Sequence, residues 1–259
     1  MAEGFAQDRF AGVAAVLDAN VASGADLGAS FCATVEGETV VDLWAGHADA
    51  DRTRPWQRDT IVNVYSTTKT MTALTALLLA DRGDLDFGQR VAHYWPEFAA
   101  NGKADVTVAQ LMSHSSGLSG WKEPITTEDL YDWDKVTGLL AAQAPFWEPG
   151  TALGYHAVTQ GYLVGEVVRR ITGQSLGSVF RREIAEPLGA DFHIGLPASE
   201  DHRVADLIPP AAAMAIDTVP KDSLAYNMAT NPGIDVLATR TRGWRGAEIP
   251  AAGGTGNAR

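Results

Sequence analysis

The chain has 259 residues, 46% hydrophobic and 20% charged, with 26 Gly, 12 Pro and no long low-complexity tract, which is a soluble, globular composition. A formal net charge of −12 repels phosphate backbones and anionic lipid and argues against nucleic-acid and membrane partners. Cys32 is the only cysteine, which excludes an intrachain disulfide and a cysteine-based zinc site, and no apolar run approaches the roughly 18–20 residues that span a bilayer.

The opening "MAEGFAQDRF" lacks the basic and apolar regions of a signal peptide, so cytoplasmic residence is expected. Phe10, Val13, Leu17 and Val21 then recur at helical spacing and predict an amphipathic helix ending near Gly24. In "FCATVEGETVVDLWAGHAD" two β-branched runs flank Glu36-Gly37 and predict an antiparallel hairpin. Residues 48–60 are polar and turn-rich. Met71, Leu74, Leu77 and Leu78 predict a second helix closed at Arg82-Gly83. Within the mixed region 84–150, "DVTVAQLMSHSSGL" reads as a capped helix running into a Ser/Gly turn. "AVTQGYLVGEVVRRITG" gives the clearest helix, with Leu163, Val164, Val167, Val168 and Ile171 on one stripe and Gly173 as terminator. After Pro197 the chain reads as irregular, and "IPPAAAM" and "NPGIDV" predict a long surface excursion. The last stretch, "EIPAAGGTGNAR", offers no closing helix or strand. Because a lone hairpin is not independently stable, it reads either as a loose tail or as a chain whose further strands lie beyond residue 259.

"VYSTTKTMTALTALLLADRGDLD" places Ser66 one turn before Lys69 at the start of an apolar helical pattern, within reach of each other on one face. A serine hydroxyl needs a base, and a lysine serves when neutral or, charged, by lowering the pKa of a third group such as a tyrosine. The plain reading is an N-cap serine and a solvated first-turn lysine. The pattern alone is weak: with five lysines it occurs again at Ser119-Gly120-Trp121-Lys122, in a loop.

Together with "STTK", the stretches "LMSHSSGL" and "WEPGTALGYHAVTQGYLVGEVVRRITG" resemble the serine β-lactamase and DD-peptidase superfamily, specifically its class C branch and the related family VIII carboxylesterases. The resemblance runs from about Phe10 to the end, and "RGDLD", "YWPEF" and "EPLGA" match flanking pieces. It implies an α+β fold, an α/β sandwich with an antiparallel sheet plus a helical domain. Residues 1–70 would open the α/β domain, 71–190 form the mostly helical domain and 191–259 return towards the sheet. The resemblance implies Ser66 as nucleophile, Lys69 as activator and Tyr155 as the second motif's tyrosine, either of the latter two being the base. His114 and His156 lie inside the resembling stretches and, with Trp121, are candidates for binding a small-molecule substrate. No metal or organic cofactor is required.

The departures bear on chemistry. Ala157 stands where lactamases of this branch usually carry an asparagine that holds a substrate amide, which favours esters. The third motif is absent, so the chain resembles a family member cut off before that strand. This leaves the Ser66 N–H as one oxyanion donor, a loss typically of ~10²–10³ in turnover, and the hairpin Ser30–His47 without partners. Lactam or D-amino-acid amide hydrolysis and a non-catalytic homologue are the alternatives. Gly173-Gln174-Ser175-Leu176-Gly177 also matches a nucleophile elbow, but a helix precedes it where a strand is needed.

Overall fold

In the computed structural model, which describes residues 1–210 and 216–259, the N-terminal part builds one antiparallel sheet. Its strands are β1 (Glu3–Ala6), β2 (Gly28–Val35) and β3 (Glu38–Gly46), in the order β1-β3-β2. Glu36 and Gly37 both take positive φ, 52° and 83°, the combination that a two-residue type I′ turn needs. Helix α1 (Ala11–Ser23) ends at Gly24, left-handed with φ 77°. Its Val13, Leu17 and Val21, with Phe10, share one apolar cluster with Val41, Leu43 and Ala45 of β3. The hairpin therefore has partners after all, corrected by β1 on one side and by α1. β1 and β2 are the two edge strands of this sheet among the described residues, and Phe31 and Val35 are exposed along β2.

A second sheet is made of fragments: β4 (Ile61–Asn63), β5 (Phe192–His193), β6 (Val204–Ala205) and β7 (Thr255–Gly256), in the order β5-β7-β4-β6. β4 runs parallel to β6 and antiparallel to β7. Strands of two or three residues cannot display a period-two pattern, which is why the sequence hides them.

The largest core belongs to helices: α2 (Thr68–Asp81), α3 (Val91–Tyr94), α4 (Val108–Met112), α5 (Trp133–Ala142), α6 (Thr159–Thr172) and α7 (Leu176–Phe180). Thr107 caps α4 in a reciprocal box with Gln110, as its sequence predicts. In contrast to a one-sided amphipathic helix, α6 is buried on every face from Thr159 to Val168. Gly161 and Gly165 make this possible, because a Cβ would collide with the Ala251 main chain at the first and the Trp133 ring at the second. The predicted excursion over 208–214 falls partly on 211–215, outside the described residues, while "NPGIDV" runs as a loop between short helices. No helix among the described residues is long and apolar enough to cross a membrane.

Glu166 is the one charge α6 carries into this interior, at 1% exposure. Arg169 and Arg170, each at 2.7 Å, and the Trp133 indole N–H, also at 2.7 Å, satisfy its two oxygens and tie α5 to α6. These donors hold the carboxyl below its usual range even though burial pushes it up. Replacing Glu166 by Ala strands the indole and leaves a void, while the half-exposed arginines can turn to water. Urea unfolding should show a loss of about 2–3 kcal/mol.

Candidate active site

The turn that carries Ser66 is shaped by its neighbours. β4 delivers Asn63, whose side-chain oxygen accepts the Tyr65 N–H at 3.3 Å while its amide donates to the carbonyls of Ala252 (3.1 Å) and Gly254 (3.3 Å). Tyr65 takes φ 43°, a left-handed conformation that costs a residue with a Cβ about 1–2 kcal/mol. The chain then coils through one 3₁₀ turn, Tyr65–Thr67, into α2. Ser66 is left exposed at the head of that helix.

Residues 250–254 clasp this turn from the other side. The Val64 N–H donates to Gly254 O (2.9 Å), the Gly254 N–H to Thr68 Oγ1 (2.8 Å), and Thr72 Oγ1 to Pro250 O (2.6 Å). The small residues of "EIPAAGGTGNAR" are thus neither a loose tail nor surplus. Ile249, Ala251 and Ala252 are buried, and a Cβ at Gly254 would strike Thr68 Oγ1. Sequence reasoning missed this segment, although its run of alanines and glycines is the signature of close main-chain approach.

Lys69 and Tyr155 meet at the serine. Lys69 Nζ lies 3.1 Å from Ser66 Oγ, 2.7 Å from Ala157 O and 2.9 Å from Ala251 O, and it sits 4.9 Å from the centre of the Tyr155 ring. The Tyr155 hydroxyl donates to Ser66 Oγ at 2.6 Å. Burial lowers Lys69 below the usual lysine value, against an opposing pull from Tyr155. For Tyr155, burial pushes upward, but the Ser66 hydrogen bond and the Lys69 charge outweigh it and the phenol falls below its ordinary value. The second Ser-x-x-Lys pair is not assembled: Ser119 is buried and Lys122 reaches outward over the Phe146 ring. Ser175 is the N-cap of α7, bonded to Ser178 N and, at 2.6 Å, to Glu248.

The other candidates fall in different places. His114 flanks the Tyr155 ring, with 4.9 Å between centroids. Trp121, expected to bind substrate, is instead a core residue at 1% exposure, its indole N–H on Val136 O and its ring against Tyr162. His156, also expected to face substrate, is fully buried, its ring beside those of His114 and Trp147. Its Nε2 accepts the Leu118 N–H at 3.2 Å, a donor that cannot reverse, and contacts Ser116 Oγ at 2.8 Å. The ring proton therefore resides on Nδ1 and points to Gly154 O. Burial holds this imidazole neutral, pushed down to about 4.

That depressed value has a sign. The unfolded chain takes up a proton near the ordinary imidazole value of 6.5, whereas the folded ring waits until about 4, so stability is complete above the first value and lost as pH falls to the second. Urea-unfolding free energies should drop by up to about 3 kcal/mol across that window. A flat profile there would mean that the folded ring carries a proton.

Comparison with known proteins places this arrangement in a family. A family model described as Beta-lactamase matches residues 13–259. Esterase/beta-lactamase LipL of Mycobacterium tuberculosis is 40% identical over 245 residues, covering 90% of this chain and 56% of that protein. Esterase EstB of Burkholderia gladioli is 30% identical over 181 residues, covering 63% of this chain and 45% of that one. The chain thus spans about half the length of these curated relatives. A crystal structure of a family VIII carboxylesterase superposes with a TM-score of 0.91 at 50% identity, over 99% of this chain and 68% of that one. With a family match reaching across all but the first twelve residues, and the same fold in that neighbour, the chain belongs to the beta-lactamase family.

Proposed function

We propose that this chain carries the acylation machinery of a serine hydrolase acting on short-chain carboxylic esters. The observation that carries the reading is Ser66 Oγ, open to solvent, with Tyr155 Oη at 2.6 Å and Lys69 Nζ at 3.1 Å. Two main-chain carbonyls accept from Nζ and can donate nothing back, which favours the ammonium form of Lys69. An ammonium beside the phenol favours the phenolate, so Tyr155 is assigned as the base, in a pair whose titrations are coupled.

In the resting chain the phenol donates to Ser66. Once ionised, it accepts the Ser66 proton along the same contact while Oγ attacks the ester carbonyl carbon. The Ser66 N–H, at the head of α2, is a donor to the oxyanion that forms. Collapse of the tetrahedral species breaks the bond to the alkoxide, and Tyr155 returns the proton to that leaving oxygen. Water then attacks the acyl-serine carbonyl while Tyr155 takes its proton; the acyl–Oγ bond breaks, the carboxylic acid leaves, and Tyr155 returns the proton to Ser66 Oγ. Ala157 offers only its carbonyl, already engaged by Lys69, and no side-chain amide to hold a lactam or peptide. The esterase names of the relatives support the same substrate class. Lactam hydrolysis is the second reading, favoured by the double name of the first relative, and a chromogenic cephalosporin run beside a nitrophenyl ester separates the two.

A fluorophosphonate probe followed by peptide mass spectrometry should place a single adduct on Ser66. Ser66→Ala should abolish it and Ser175→Ala should leave it in place. An adduct on Ser175, or none on a folded chain, would sink the assignment. Tyr155→Phe, which removes the base without changing the ring, should slow labelling and ester turnover by about 10²–10⁴.

A further inference from the structure

Tyr155 belongs to no helix or strand and is 47% exposed, yet its hydroxyl meets a serine 89 residues away in sequence. Such placement needs the main chain fixed on both sides of the residue. The two flanking N–H groups do this by bonds that both end on His114, while the Gly154 and Ala157 carbonyls are held by His156 Nδ1 and Lys69. The Gly154 N–H donates to the His114 carbonyl at 3.0 Å, and the His156 N–H donates to His114 Nδ1 at 3.0 Å. His114 itself takes φ 61°, left-handed and costly for a residue with a Cβ, so the surrounding structure holds it there at a loss.

Since a main-chain N–H only donates, Nδ1 of His114 carries no proton, and an imidazolium could not fill this position. Three groups face the ring: the Tyr155 phenol, the His156 imidazole at 5.4 Å between centroids, and the Lys69 ammonium. Burial and the Lys69 charge both keep His114 below its usual value, so the accepting form persists at neutral pH.

We propose that His114 is the positioning residue for Tyr155: its carbonyl and its bare Nδ1 grip the two residues flanking the tyrosine and so aim the phenol at Ser66. The catalytic meaning of this clamp rests on the hydrolase reading above, whereas the clamp itself is a statement about geometry. Asparagine is the informative replacement. Its Oδ1 accepts an N–H from about the place of Nδ1, it tolerates positive φ better than most residues, and it does not titrate.

The test uses the whole chain as wild type, His114→Ala and His114→Asn, with tyrosine labelled with ¹³C at Cζ and the Tyr155 resonance assigned through Tyr155→Phe. In wild type and His114→Asn, Tyr155 should ionise below the ordinary tyrosine value, and in His114→Ala it should move back towards that value. For nitrophenyl ester turnover, His114→Ala should lose about 10–100-fold in kcat with little change in KM, and His114→Asn should restore most of it. The acid limb of kcat should also move to lower pH in His114→Asn, which has no ring to protonate. An unchanged Tyr155 titration in His114→Ala, or no restoration in a His114→Asn chain that melts like wild type, overturns the proposal. Should His114→Ala fail to fold, the His114→Asn titration and kcat decide alone. If the wild type turns over no ester, the hydrolase reading falls and the Tyr155 titration still decides the clamp.

Discussion

An amine drawn partly out of water must have acceptors, and the placing of Lys69 constrains nearly everything around it. Its nitrogen is shared by the serine one turn earlier, by the carbonyl of Ala157 ahead of α6 and by the carbonyl of Ala251. Withdrawing either carbonyl would take one of three acceptors from a half-buried amine and cost part of its solvation. The neighbouring packing follows from this need. Segment 249–254 must come close enough to offer a carbonyl, so α6 has Gly161 where that segment crosses and the clasp has Gly254 where it touches Thr68.

How much of this could be read beforehand depended on what kind of signal each feature leaves. α1, the first hairpin, α2 and α6 were legible because each spans enough residues to show a period, a turn pair or a cap. β1 and β4–β7, two to four residues each, leave no such trace, and they exist because longer elements hold them in register. The Ser66, Lys69 and Tyr155 cluster was legible through its resemblance to a family. The carbonyls that hold Lys69 were not, since a main-chain oxygen leaves no residue type behind. Trp121 misled for the opposite reason: its size suggests a binding surface, yet a large apolar ring is most stable where nothing but core touches it.

The interior deals with polar groups in two ways. Glu166 stays charged because two arginines and an indole converge on it. His156 stays neutral because its partners, a main-chain N–H, a hydroxyl and a carbonyl, suit one tautomer of the uncharged ring. The first arrangement joins two helices and the second ties the residue after Tyr155 to the turn at 116–118. Both are directional, so each fixes orientation as well as proximity, which apolar packing alone does less sharply.

The clasp on the serine turn joins parts of the chain that lie very far apart. Asn63 reaches Gly254 across 191 positions and Lys69 reaches Ala251 across 182. Closing loops of that size is entropically unfavourable until the helices between have packed. The serine turn therefore takes its working shape only as the fold completes, and a chain still leaving the ribosome holds Ser66 and Lys69 in sequence order but without the carbonyl that completes their cage. The geometry around Ser66 is in this sense a property of the finished topology, however local the motif that announces it.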